Sequence, residues 1–104
     1  MWPISQELAP IVLFAFNRPE HTLATLRALE KAELSRESDL YVFIDGPRHQ
    51  KDREKVARVA ELFEGNVRFK HLYVEERTRN LGLSENIIDG VSQVINERGT
   101  AIVL

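Results

Sequence analysis

The sequence predicts a three-layer α/β domain in which a mostly parallel, four-stranded sheet lies between helices. Short apolar runs, rich in β-branched and aromatic residues, alternate with stretches whose apolar residues recur every three or four positions. Runs of the first kind are typical of strands covered on both faces, and stretches of the second kind are typical of amphipathic helices. The resulting order, β-α-β-α-β-α-β, needs crossover connections, which place helices on both faces of a parallel sheet.

Length and composition limit the classes of protein that fit. The 104 residues suffice for a single domain, which we place at 1–104. A hydrophobic content of 43% argues against a disordered chain, and a net charge of −2 argues against nucleic-acid binding, which needs a basic surface. The absence of cysteine excludes disulfides and a cysteine nucleophile. No apolar segment reaches the roughly 18 residues of a membrane span, so we expect a cytoplasmic protein.

The first half of the chain contains two predicted strands and a helix between them. The first strand covers 11–16, and the helix after it begins at Pro19, since proline is favoured in a first helical turn. Leucines then recur every three residues and give this helix an apolar stripe. The second strand covers 40–44 and ends in Asp45-Gly46-Pro47, which is a strong turn signal.

A second helix and a third strand follow. Apolar residues recur at helical spacing from Val56 to Phe63, and Gly65-Asn66 is expected to close this helix with a left-handed cap. The stretch 67–74 alternates apolar and polar residues more than the other strands do. We therefore expect the third strand to lie near the edge of the sheet, with one face wetter.

The last helix and strand complete the pattern. Ser84 is expected to cap the third helix and Gly99 to end it, and 101–104 is predicted to begin a fourth buried strand. The sequence stops inside this apolar run, whereas chain termini are usually polar and frayed. We therefore expect these residues to be the N-terminal part of a longer protein; the alternative is a short domain whose last strand ends there.

The loops after the strands carry the candidate binding residues, because ligands of open α/β sheets bind outside the carboxyl ends of the strands. Asn17 and Arg18 follow the first strand at a helix N-terminus, which attracts anions. Asp45 follows the second strand, where its carboxylate can accept a hydrogen bond from a base or a ribose. Arg79 and Asn80 follow the third strand. This combination suits a nucleotide, because the acid can bind the base or the sugar, and the cations and helix N-termini can bind the phosphates.

Each candidate also has a purely structural interpretation. Asp45 can serve only a turn, Arg18 can be a solvated side chain, and Asn80 can satisfy turn geometry. Asn86 can be an outward polar position on the third helix, and the charged run 75–77 is predicted to be solvated. The three histidines show no metal-ligand spacing and are predicted to be ordinary surface or interfacial residues.

Several motifs of nucleotide and hydrolase chemistry are missing from the sequence. It contains no G-x-G-x-x-G fingerprint, no G-x-x-x-x-G-K-[ST] P-loop and no G-x-S-x-G nucleophile elbow. A phospho-receiver domain would carry an acidic pair after the first strand, where this chain has Asn17-Arg18, and an Asp after the third, where it has Glu75-Glu76.

Three segments resemble the family 2-type glycosyltransferases with the GT-A fold. The stretch 10–19, PIVLFAFNRP, followed by a leucine-rich helix, is similar to the opening of that family. The stretch 79–91, RNLGLSENIIDGV, resembles the family's segment between its third strand and the next helix. The final strand, 102–104, resembles the one that runs into an acidic D-x-D-like metal motif. The resemblance covers nearly the whole chain.

The resemblance implies the Rossmann-like half of a GT-A fold, which binds a nucleotide-diphosphate sugar. Such enzymes transfer the sugar to an acceptor hydroxyl, usually with Mg²⁺ or Mn²⁺. In the family, the acid after the second strand contacts the nucleobase, and this acid would be Asp45. The residues that would border the nucleotide and the sugar are Phe16, Asn17, Arg18, Asp45, Arg79, Asn80 and Asn86.

The resemblance also implies that the metal ligands and the catalytic base would lie beyond Leu104. We therefore expect these 104 residues to be inactive by themselves, although they come from an enzyme. Two alternatives stay open. One is a non-catalytic regulatory or interaction module of the receiver type, and the other is a different nucleotide-binding enzyme such as a nucleotidyltransferase.

Overall fold

A computed structural model describes residues 8–32, 35–65 and 67–104. The elements in chain order are β1 (Ile11–Ala15), α1 (Pro19–Glu30), a 3₁₀ turn (Ser35–Glu37), β2 (Asp39–Ile44), α2 (Asp52–Glu61), β3 (His71–Glu76), α3 (Leu83–Arg98) and β4 (Ile102–Val103). This order confirms the predicted alternation of strands and helices. None of the helices within the described ranges is both long enough and apolar enough to cross a bilayer.

The sheet has the strand order β3-β2-β1-β4, and every neighbouring pair is parallel. The chain moves from β1 to β2 to β3 in one direction and then returns to place β4 on the other side of β1. The fold is therefore a Rossmann-like, three-layer α/β/α arrangement, as predicted, and it is fully parallel. The direction of winding reverses between β1 and β4, which is the position where open sheets of this type bind ligands.

Two apolar layers hold the helices to the sheet. On one face, Leu13 and Val42 of the sheet pack with Leu26 of α1 and Val59 of α2. On the other face, Val94 of α3 packs against the side chains that alternate with these along β1 and β2. All six residues of β2 are buried, as the continuous apolar run predicts for a strand with neighbours on both sides and helices on both faces.

Helix α3 approaches the sheet closely at Gly90. A Cβ atom at this position would lie 2.7 Å from Cε1 of Phe14 and 2.9 Å from Cδ2 of Phe43. The two phenylalanine rings stack on each other, with their centroids 5.6 Å apart. The missing side chain therefore lets α3 rest directly on this pair, which places the N-terminus of α3 beside the carboxyl end of β1.

The ends of α3 agree only in part with the prediction. The helix begins at Leu83, after Gly82 at φ 85°, and no side chain caps it, so the prediction of a cap at Ser84 is wrong. Gly82 takes a backbone conformation that side chains disfavour, and its carbonyl accepts the N–H of Asn86. Gly99, at φ 80°, ends the helix with its N–H bonded to the carbonyl of Ile95, which confirms the predicted stop.

The end of α2 differs from the prediction. The helix ends at Glu61, and Leu62, in the right-handed helical region, donates to Val59 in a tighter last turn. Gly65 has no positive φ, so the left-handed cap predicted there is wrong; Asn66 lies outside the described residues. A tight last turn can satisfy the last carbonyl groups of a helix without a left-handed residue. Gly65 is therefore not needed as a cap here.

The two outer strands differ from the prediction in length or burial. β3 is an edge strand, as predicted, but it begins at His71. The residues before it do not pair as a strand: the Arg68 N–H donates to the Glu30 side chain, and the Lys70 N–H donates to the carbonyl of Ser38. The prediction of a buried fourth strand is wrong. Within the described residues β4 pairs with β1 alone, and Ile102 and Val103 are about half exposed.

Candidate functional site

A cavity of about 420 Å³ opens at the carboxyl ends of β1 and β2, between the N-termini of α1 and α3. It lies outside the carboxyl ends of the strands, where open α/β sheets bind ligands, but on the β2 side of β1, since no residue of β4 lines it. The structure brings six of the seven residues proposed from the sequence to its wall: Phe16, Asn17, Arg18, Asp45, Asn80 and Asn86. Arg79 does not line it. It lines a separate groove together with Glu85 and Asp89.

Asp45 is buried, with 4% of its surface exposed, and both oxygens of its carboxylate are engaged. Oδ1 accepts from the backbone N–H groups of Gly46 at 2.9 Å and Leu81 at 2.7 Å. Oδ2 accepts from the N–H of Gly82 at 3.0 Å and from the side-chain amide of Asn80 at 3.2 Å. A carboxylate offers about four acceptor positions, so Asp45 is saturated. In this arrangement it fastens the loop after β3 to the end of β2.

The two loops also meet at the backbone of Gly46. The side-chain amide of Asn80 donates to the carbonyl of Gly46 at 2.8 Å. A Cβ atom at Gly46 would lie 2.6 Å from the carbonyl carbon of Arg79, so only glycine allows this approach. The contribution of Arg79 to this close packing therefore comes from its backbone.

Asn17 reaches across the cavity rim to α2. Its side-chain amide donates to Oδ1 of Asp52 at 2.9 Å, and the Arg48 N–H donates to Oδ2 at 3.1 Å. The hydrogen bond from Asn17 is the main reason why the pKa of Asp52 lies below its usual range. The Arg48 guanidinium carbon lies 5.2 Å from the centre of the Phe16 ring, within the range of a cation–π contact.

Asn86 forms the buried part of the cavity wall on α3, with 2% of its surface exposed. Its Nδ2 donates to the carbonyl of Phe43 at 3.4 Å, and its Oδ1 accepts from Nε of Arg77 at 3.0 Å. Arg77 also pairs with Glu75 and with Asp89, the latter at 2.7 Å. The Arg77 side chain is only 9% exposed, so the prediction of a solvated charged run is wrong at this residue.

Several residues of the site were missed by the sequence analysis. Arg48 and Asp52 lie in a polar stretch before the apolar periodicity of α2, and only their position in the fold shows that they border Asn17 and Phe16. His21, predicted to be an ordinary surface residue, lines the cavity from the first turn of α1. The position of His21, two residues after Pro19, indicates that it lies in the first turn of α1, beside the carboxyl end of β1.

The cavity combines an apolar wall with groups that favour an anion. Phe14 and Phe16 contribute aromatic surface, and Arg18, His21 and Arg48 contribute the basic side chains. Neither α1 nor α3 has a side-chain cap. In α1, Pro19 carries no N–H and the N–H of Glu20 bonds its own carboxylate, so the uncapped donors are the N–H of His21 and those of the first turn of α3. Helix N-termini carry partial positive charge, and this arrangement therefore suits a ligand with an apolar or aromatic part and an anionic part.

No group of three or more histidine, aspartate or glutamate side chains is placed to hold a metal ion in the part of the chain that the structure describes. The expectation of Mg²⁺ or Mn²⁺ concerned ligands beyond Leu104 and stays a prediction. Comparison of the chain with protein families, with curated proteins and with solved structures gave no match. The case for a function therefore rests on the cavity and on the residues around it.

Proposed function

We propose that this cavity binds a nucleotide-diphosphate sugar and that the chain is the donor-binding part of a glycosyltransferase. One observation carries the proposal. Six residues chosen for nucleotide binding from the sequence border a single cavity at the carboxyl ends of β1 and β2. Their convergence supports the proposal because they come from three loops and from helix α3, which are far apart in the chain.

The chemistry of the cavity matches the parts of such a donor. The volume of about 420 Å³ lies within the range of small-molecule sites. The aromatic surface of Phe14 and Phe16 offers a place for a planar base, and the helix N-termini with Arg18 offer donors for phosphate oxygens. Because Asp45 is saturated by the β3–α3 loop, we propose that it acts on the ligand by holding that loop in place.

The reaction that the resemblance implies is transfer of the sugar to an acceptor hydroxyl. A divalent cation would neutralise the charge that develops on the diphosphate leaving group. We propose Mg²⁺ or Mn²⁺ for this role in the whole enzyme, and we propose that residues 1–104 alone bind the donor without turnover.

The proposal is tested by calorimetry with UDP, GDP and uridine. We expect UDP or GDP to bind and uridine to bind much more weakly, since the diphosphate supplies the anionic part. Arg18→Gln removes an exposed cation at the cavity without removing a side-chain cap. A charge-assisted hydrogen bond is worth about 1.5–3 kcal/mol, so the affinity should fall about 10- to 100-fold.

Arg53→Gln is the matched control. Arg53 is an exposed basic residue of α2 that does not line the cavity, and its substitution should leave the affinity unchanged. Equal losses in both variants would mean that only net charge matters. If the unaltered chain binds neither UDP nor GDP, the proposal fails, and a non-catalytic interaction module becomes the better explanation of the fold.

A further inference from the structure

The buried amide of Asn86 contacts two groups of opposite hydrogen-bonding type. Its Oδ1 faces Nε of Arg77 at 3.0 Å, and its Nδ2 faces the carbonyl oxygen of Phe43 at 3.4 Å. An arginine can only donate, and a carbonyl can only accept. Turning the amide over would set N–H against N–H and oxygen against oxygen. One orientation alone therefore satisfies both neighbours, and Arg77 selects it.

Arg77 is itself held on several sides. Its guanidinium carbon lies 5.0 Å from the centre of the Phe43 ring, and Nη1 pairs with Glu75 of β3 and with Asp89 of α3. Its remaining nitrogen, Nη2, is buried and has no hydrogen-bond partner among the described residues. A buried unpaired donor lowers stability, so this arrangement is not the one that stability alone would favour.

The planar guanidinium is needed for this geometry. Nε and Nη1 lie on different edges of the group, so one side chain reaches Asn86 and both carboxylates together. A lysine ammonium at the same place is a single point charge and cannot hold all three in fixed directions. The orientation of Asn86 therefore depends on arginine and not on positive charge alone.

We propose that Arg77 is a positioning residue for the cavity, which it does not itself line. It holds Asn86 so that the second N–H of Nδ2 stays available as a donor from the α3 wall to an acceptor oxygen of the ligand. The oxygen would belong to a carbonyl or a phosphoryl group. The orientation of Asn86 stands independently, whereas the donation to a ligand rests on the proposed function.

The side-chain amide of Asn86 provides the direct test, by NMR on the full chain labelled with ¹⁵N. In the unaltered protein we expect a resolved pair of Nδ2 proton signals that exchange slowly with water. In Arg77→Met and Arg77→Lys the pair should lose its dispersion and exchange at least about tenfold faster. The amide of Asn80, held by Asp45 and Gly46, is the internal reference.

This reference separates positioning from stability. A general loss of stability would affect Asn80 and Asn86 alike, whereas loss of positioning changes Asn86 alone. Arg53→Lys is the matched control, because it makes the same change at an exposed arginine of α2 that contacts neither amide, and it should leave both amides unchanged. If the Asn86 signals persist in Arg77→Lys, the positioning role is overturned; this variant also serves if Arg77→Met does not fold.

The ligand part is tested by calorimetry with UDP and GDP. Arg77→Lys should weaken whichever nucleotide binds by about tenfold, and Asn86→Asp, which replaces the N–H donor with an acceptor, should weaken it at least as much. Unchanged affinity in a variant whose Asn86 signals have changed overturns the donation to the ligand. If the unaltered chain binds neither nucleotide, the proposed function fails and the donation fails with it, while the NMR result still decides the role of Arg77.

Discussion

Removal of the Asp45 carboxylate should destabilise the whole domain. Asp45→Ala leaves the N–H groups of Gly46, Leu81 and Gly82 and the amide of Asn80 without their acceptor. These contacts are buried, since Asp45 is 4% exposed. A hydrogen bond to a charged group contributes about 1.5–3 kcal/mol, but neighbouring contributions do not add and the freed loop can reach water. We therefore expect a loss of about 3–5 kcal/mol.

The assay is urea unfolding followed by far-ultraviolet circular dichroism. With a slope of about 1–3 kcal/mol per molar urea, the midpoint should fall by about 2 M. Asp45→Asn keeps one acceptor oxygen and turns an amide N–H toward the remaining donors, so it should lose about half as much. Glu64→Ala, at an exposed acidic position, is the control. A loss below about 1 kcal/mol in Asp45→Ala would refute the view that this carboxylate joins the two loops.

Two further predictions concern other parts of the fold. Gly90→Ala should lower the free energy of unfolding by about 1–3 kcal/mol, because the new Cβ would meet ring carbons at 2.7 and 2.9 Å; a thermal midpoint equal to that of the unaltered chain would contradict this packing. The pKa of Asp39 lies below its usual value, since hydrogen bonds from His71 and Arg98 outweigh the opposing effect of burial. The contribution of the Asp39 carboxylate to the free energy of unfolding is complete above its unfolded-state pKa of about 4. This contribution is lost as the pH falls through the lower pKa of the folded state. Urea midpoints measured from pH 6 to pH 2 should therefore fall less steeply in Asp39→Asn, and equal slopes would show that Asp39 does not contribute.

The sheet could be predicted from the sequence because a strand that is buried on both faces requires an uninterrupted run of apolar residues. The run 40–44 is apolar without interruption, and the strand it forms, Asp39–Ile44, is buried throughout. The stretch 67–74 alternates, and the strand that overlaps it, His71–Glu76, lies at the edge. Since the carboxyl ends of parallel strands meet at one edge, the strand assignments alone also placed Asn17, Arg18, Asp45 and Asn80 at one cavity, whereas Phe16 and Asn86 were added by the family resemblance.

The parts that could not be predicted depend on contacts between distant segments. Arg77 belongs to a charged run that is predicted to be solvated, and it is buried because Asn86 and Asp89 of α3 and the Phe43 ring lie against it. Ser84 has the residue type of a helix cap, yet the helix begins one residue earlier, where Asp45 already binds the N–H of Gly82. The burial of Arg77 and the start of α3 both depend on contacts between segments that are distant in sequence. No local residue pattern indicates such contacts.

The attachment of the loop after β3 has a consequence for the kinetics and thermodynamics of association. The Asp45 carboxylate and the Asn80 side-chain amide hold this segment against the end of β2. Its conformation is therefore formed before a ligand binds. A rigid receptor loses little conformational entropy on complex formation. The association rate of a ligand should then depend on diffusion and on charge attraction, because this segment needs no slow closing movement before the ligand binds.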